Sequence, residues 1–296
     1  MWKVLPADQK EGIKNFIVGF IIKNSSDKES LKKNKLLLNK LNIVLVQILK
    51  QYWPEQWPTF IPEIVSASLS NPAQCENNMA ILKLLSEEIF DYSAEQMTSP
   101  KISDLKEKLS KEFSSIFELC YKVLESSDDA SLVGATLETL LRFLHWIPIT
   151  YIFDTNLLNL LCERFFEVNI FRNSTIKCLT EIASLKAPNG DYEEKFCMLF
   201  DLIMKYIPKI VPVNTNIAKN WETMNDFDQQ YVQNLALFFT SFLSTHLDAM
   251  EITALRNDQF RGDFIAAHLY LLAISRVEDR ELFKICLEYW TKLVSN

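Results

Sequence analysis

The residues of this 296-residue chain that could do chemistry are six cysteines, three histidines and a few paired carboxylates. Metal binding or nucleophilic catalysis would need them close together at set spacings, and they are not. His145, His246 and His268 are far apart, with no H-E-x-x-H pattern and no neighbouring Cys/His ligand set. Cys75, Cys120, Cys162, Cys178, Cys197 and Cys286 form no C-x-x-C pair. Most sit inside apolar helical patterns, as buried reduced thiols do. Glu87-Glu88, Asp128-Asp129 and Glu193-Glu194 are paired carboxylates expected at helix ends or on exposed faces, where the helix dipole favours them near an N-terminus. G-x-S-x-G, G-x-x-x-x-G-K-[ST] and G-x-G-x-x-G are all absent from the sequence. The chain is therefore expected to be no enzyme and to hold neither metal nor cofactor. Its function should lie in binding.

The elements that must present a binding surface are helices. Glycine occurs only five times, against an average usage of roughly 7%. Hairpins and phosphate-cradling loops consume glycine for positive φ, so all-β and Rossmann-type folds are disfavoured. Apolar residues recur at helical spacing throughout. Leu38, Leu41, Leu45, Ile48 and Tyr52 form one stripe, and Phe113, Ile116, Phe117, Cys120, Tyr121 and Leu124 another. Leu137, Leu140, Leu141 and Leu144 follow, then Leu235, Phe238, Phe239 and Phe242, and finally Phe283, Cys286, Leu287 and Trp290. Between stripes stand helix starts: Asn71-Pro72 and Ser99-Pro100 place a capping side chain before a proline at the first helical position. "SSDDA" precedes the Leu137 stripe, and "APNGD" separates Leu185 from the helix around Phe196. The longest break, Pro212 to Gln230, reads as a surface loop or insertion.

Two corners repeat. "QWPTFIPEI" (Gln56 to Ile64) and "HWIPITYIF" (His145 to Phe153) each set Trp just before Pro and lie 89 residues apart, about two HEAT or armadillo repeats of roughly 40–47 residues. An all-α HEAT-repeat superhelical solenoid of antiparallel helix pairs is expected, as one segment over 1–296. Its pairs fall near 28–69, 72–126, 128–168, 170–211 and 227–276, with unpaired helices near 8–24 and 278–296. Such ends would expose apolar faces, so the chain reads as part of something longer.

Net charge is −7, which disfavours nucleic acid as a partner. Residues 1–50 hold ten Lys/Arg and four Asp/Glu, a balance of +6, and the remainder stands at −13. The run "KESLKKNKLLLNK" (Lys28 to Lys40) is either a solvated helix face or an electrostatic patch for an acidic partner. The N-terminus lacks a secretory pattern, and there is no uninterrupted run of 18 apolar residues. A soluble intracellular protein without membrane insertion is expected.

The stretch "QYWPEQWPTFIPEI" (Gln51 to Ile64) spends two tryptophans and three prolines on one corner. Pro54 should stop the incoming helix, Pro58 should open the next, and Trp53 and Trp57 should plug the core. With its flanks, "LVQILKQYWPEQWPTFIPEIV" (Leu45 to Val65) resembles the exportin-1 family of nuclear export receptors, in the importin-β (karyopherin) superfamily. "CENNMAILKLLSEEIFDYSAEQMT" (Cys75 to Thr98), "ATLETLLRFLHWIP" (Ala135 to Pro148), "FRNSTIKCLTEIA" (Phe171 to Ala183) and "ELFKICLEYW" (Glu281 to Trp290) resemble it in the same order, as does the stretch from Trp2 to Asp27. The resemblance implies a HEAT-repeat solenoid that binds Ran-GTP and leucine-rich export-signal cargo, meets nucleoporins, and shuttles between nucleus and cytoplasm. It implies that this chain is an N-terminal stretch, on the Ran-facing side and without the cargo groove. Within it, Lys10 and Lys14 and, after Pro58, Glu63 are implied to contact Ran-GTP. The competing expectation is a generic HEAT-repeat scaffold with no transport role.

Overall fold

The computed structural model describes residues 4–90, 99–186 and 190–295, with only the backbone of 99–102. The Ser99 capping side chain and most of the breaker at 187–191 lie outside the described residues. The chain divides into two compact units, Met1–Ile147 and Pro148–Asn296. Both are helical, and no strand occurs among the described residues. No described helix is long and apolar enough to cross a membrane.

The first unit contains α1 (Ala7–Asn24), α2 (Lys28–Lys33), α3 (Lys35–Tyr52), α4 (Phe60–Ser70), α5 (Pro72–Phe90), α6 (Ser99–Lys111), α7 (Phe113–Ser126) and α8 (Ala130–Phe143). Asx side chains start several of them: Asp27 accepts from Ser30 N at 2.9 Å, Asn71 from Ala73 N at 2.9 Å and Asp129 from Ser131 N at 3.1 Å. Each such cap contributes about 1 kcal/mol. Connections are short, so successive helices fold back as HEAT-type pairs in two layers. In one layer α5 packs between α3 and α8; in the other α4 packs on α7, and α1 lies against α3. The core between them is leucine-rich, with Leu38, Leu49, Leu82, Leu85, Leu109, Leu124 and Leu137 buried. Within the α3–α5 seam Asn42 and Asn77 exchange amide hydrogen bonds at 3.0 and 3.3 Å. Further along the same seam Lys50, 3% exposed, meets Glu88 at 2.6 Å.

The second unit contains α9 (Ile149–Phe153), α10 (Leu157–Leu160) running into a wide helical turn at Leu161–Phe166, and α11 (Asn169–Ala183). It continues through α12 (Glu193–Met204), α13 (Ile207–Ile210), α14 (Ile217–Asn220), α15 (Asp226–Arg256), α16 (Asp258–Ile274) and α17 (Arg280–Ser295). Here α15 packs against α11, α12, α16 and α17. Its core is aromatic: Phe196, Phe200, Phe238, Phe239 and Phe242 are buried. The 31-residue α15 bends at His246, whose φ of −120° and ψ of 18° leave the helical region. The imidazole compensates by placing Nε2 3.1 Å from the Ala183 carbonyl and stacking 4.0 Å from Phe196.

Three local expectations are corrected. Pro58 precedes α4, which opens at Phe60 behind Thr59, because Trp57 and Pro58 turn the chain first. The segment 212–230 is more than a surface loop: α14 packs on α16 with Ile217 buried, and Tyr270 donates to the Val211 carbonyl at 2.5 Å. On α17 the core face is Leu282, Cys286 and Tyr289, while Phe283 and Leu287 are exposed. The stripe expected there is turned by one residue, because an apolar sequence long enough to cover two faces does not say which is buried.

Candidate partner-binding surface at the Trp57 corner

α3 ends at Tyr52, and Trp53 swings into extended backbone (φ −82°, ψ 141°) before a cis bond to Pro54. Trp53 is a core plug, as expected, at 2% exposure. Gln56 N donates to the Tyr52 carbonyl at 2.7 Å and Phe60 N to the Trp57 carbonyl at 3.3 Å, which closes the corner. Trp57 is only half-buried. Its expected place in the core is corrected, because the turn that buries Trp53 leaves the second indole at the surface, edge-on to Phe60 at 5.1 Å and 71°.

That indole gathers two of the three candidate residues. Lys14 of α1 places Nζ 4.7 Å from the Trp57 ring centre and 5.8 Å from that of Tyr52, and it pairs with Glu11 at 2.6 Å. Trp57 Nε1 donates to Glu63 Oε2 at 3.1 Å, and Thr59 Oγ1 donates to Oε1 of the same carboxylate at 2.6 Å. Lys10 stands four residues before Lys14, on the same helical face. It is half-buried and pairs with no carboxylate among the described residues. The corner therefore presents an indole edge between a cation and a carboxylate, with a second cation one turn away. It can recognise a polar protein surface; it holds no group placed for covalent chemistry.

Glu11, Thr59 and the indole itself were not foreseen as parts of this surface. The signal for two of them is legible afterwards: Thr59 stands four residues before Glu63 at a helix start, and Glu11 three before Lys14 on α1.

The reactive residue types are accounted for elsewhere. All six cysteines are buried and none is in a disulfide, and burial pushes the thiol of Cys75 up to about 11 and that of Cys162 to about 12. No cluster able to hold a metal ion occurs among the described residues. Glu87 and Glu88 lie at the end of α5, where they pair with Arg142 at 2.9 Å and Lys50 at 2.6 Å. Asp129 caps α8 and binds Lys28 at 2.6 Å, which with its hydrogen bonds holds its carboxyl below the usual range.

The sequence matches the "Exportin 1-like protein" family over residues 34–179, from α3 through most of α11. It matches the "Chromosome region maintenance or exportin repeat" family over residues 264–296. Exportin-1 of Schizosaccharomyces pombe is 52% identical over 294 residues, 99% of this chain and 27% of the relative. The chain belongs to the exportin-1 family. Exportin-1 of Drosophila melanogaster is 49% identical over all of the chain and 27% of its own length, and Protein EXPORTIN 1B of Arabidopsis thaliana 45% over 99% and 27%. The chain thus spans about a quarter of the length of these exportin-1 relatives.

Proposed function

We propose that this chain is the Ran-facing N-terminal portion of a nuclear export receptor. In this reading the whole receptor binds Ran-GTP together with leucine-rich export-signal cargo, meets nucleoporins, and shuttles between nucleus and cytoplasm. The chain supplies part of the Ran contact and not the cargo groove, and it works by binding, without catalysis. The observation that carries the reading is the collinear likeness to proteins named exportin-1 over essentially the whole chain. The convergence of Lys14 and Glu63 on Trp57, with Lys10 free nearby, supports the choice of contact surface. Lys10 is the residue left to reach an acidic group on Ran, while Lys14 and Glu63 hold the indole edge in place.

The test is interferometry of the immobilised chain against Ran loaded with a non-hydrolysable GTP analogue or with GDP. The GTP form is expected to bind more tightly, and Lys10→Glu to weaken it about tenfold, as loss and reversal of an interfacial charge does. Equal binding of the two nucleotide forms would instead favour a HEAT-repeat scaffold without a transport role.

A further inference from the structure

The lysine run of α2 and α3 lies outside the Trp57 corner, and its placement is specific. Lys28 pairs with Asp129 at 2.6 Å. Lys32, Lys33, Lys35 and Lys40 are exposed and meet no carboxylate among the described residues. Apolar side chains stand between them: Leu36 is 82% exposed and Ile43 48%. Of these, Lys32, Lys35 and Ile43 share one face.

This face is one wall of a groove of about 690 Å³ between α3, α5 and α8. Lys32 and Lys35 stand on the α2–α3 side, Ile43, Ala80 and Leu84 supply apolar surface, and Gly134 and Ala135 lie across it. A Cβ added at Gly134 would meet nothing within 4 Å, so the groove is open there. The acids that also line it are already engaged. Glu76 accepts from Ser131 at 2.6 Å, Glu138 binds Lys83 at 2.6 Å, and Glu87 binds Arg142 at 2.9 Å. Lys32 and Lys35 are left without an acidic partner among the described residues, beside an apolar floor.

We propose that this groove docks an acidic amphipathic segment of a partner protein, with its carboxylates on Lys32 and Lys35 and its apolar side chains against Ile43, Ala80 and Leu84. Two other anionic partners fit less well. A membrane would need the cations on a broad open face, whereas Lys32 and Lys35 stand on the wall of a groove. Nucleic acid would need a larger basic surface than two groove lysines supply, on a chain of net charge −7.

The experiment is selection of phage-displayed random peptides on the full chain, followed by fluorescence anisotropy of the selected peptides. Two variants and a control are compared. Lys32→Glu/Lys35→Glu reverses the free charge, Gly134→Leu fills the groove at a position with room for the side chain, and Lys186→Glu changes an exposed lysine of the other unit. The expected peptides interleave Asp or Glu with Leu or Phe and bind more weakly as salt rises. They lose about tenfold or more in affinity to each groove variant, as charge reversal or a blocked pocket does, with helicity by circular dichroism unchanged, and lose nothing to the control. Selected peptides lacking acids would overturn the proposal. So would acidic peptides that bind the groove variants undiminished, or a selection that yields no peptide. Sedimentation with phosphatidylserine vesicles that is lost in Lys32→Glu/Lys35→Glu, with no peptide selected, would make the face a membrane contact instead.

Discussion

Lys50 and Glu88 join the last turn of α3 to the last turn of α5 through an Nζ–Oε2 contact of 2.6 Å, with the lysine side chain 2% exposed. The pair lies just before the corner at Trp53 and Trp57, so the incoming strut of that corner is pinned to its neighbour. Removing the carboxylate alone takes an acidic partner from a buried ammonium. Glu88→Ala should cost about 3 kcal/mol in urea unfolding, and Lys50→Met/Glu88→Leu markedly less. Equal losses in both would mean that the ion pair is not what the single change removes.

Lys14 and Glu63 hold the Trp57 indole from α1 and α4. Lys14→Met should lower stability by about 0.5–1 kcal/mol, the range of a partly exposed cation–π contact. Glu63→Gln keeps an acceptor for Nε1 and should cost less than Glu63→Ala, for which about 1 kcal/mol is expected. Tryptophan emission of Trp57, isolated by replacing the other tryptophans with phenylalanine, should shift to the red in Glu63→Ala as the indole loosens.

His246 titrates against burial. Its pKa falls from an ordinary 6.5 to about 4, because desolvation in the Phe196–Phe242 aromatic core disfavours the charged ring. The unfolded chain takes up this proton first as pH drops, so the stabilisation is whole above about 6.5 and lost as pH falls toward 4. The loss is about 1.4 kcal/mol for each pH unit in that window. Thermal melts from pH 7 to pH 4.5 should show a steeper decline for the native chain than for His246→Gln, which keeps a donor for the Ala183 carbonyl and does not titrate.

Asn42 and Asn77 satisfy each other inside the α3–α5 seam. Asn42→Ala leaves a buried carboxamide without its partner and should cost about 2 kcal/mol. Replacing both residues with leucine removes the unmet polar group and should recover much of that loss. The measurement is the urea midpoint of the three variants at constant slope.

Much of this fold was legible because glycine scarcity, helical periodicity and capping residues pointed the same way. Asn71-Pro72 and Asp129 start helices where expected, and Trp53 plugs the core. What failed was orientation. Phe283 and Leu287 follow helical spacing as well as Leu282 and Cys286 do, and only the packing of α17 on α15 decides which pair is buried. The Trp57 surface failed for a similar reason. An indole is apolar enough to be read as core, and the contacts that keep it half-exposed come from Lys14, 43 positions earlier, and from Glu63 across a corner. The resemblance supplied Lys14 and Glu63 as candidates, but only the structure brings them to one ring.

Because all six native thiols are buried and burial raises the pKa of Cys75, Cys162, Cys178, Cys197 and Cys286, the folded chain is close to silent toward maleimides at neutral pH. A single cysteine placed at an exposed site such as Glu55 would carry a dye without removing any of the six. The slow background reaction of the others would then serve as a clock for local opening, timing how often each helix layer parts from its neighbour.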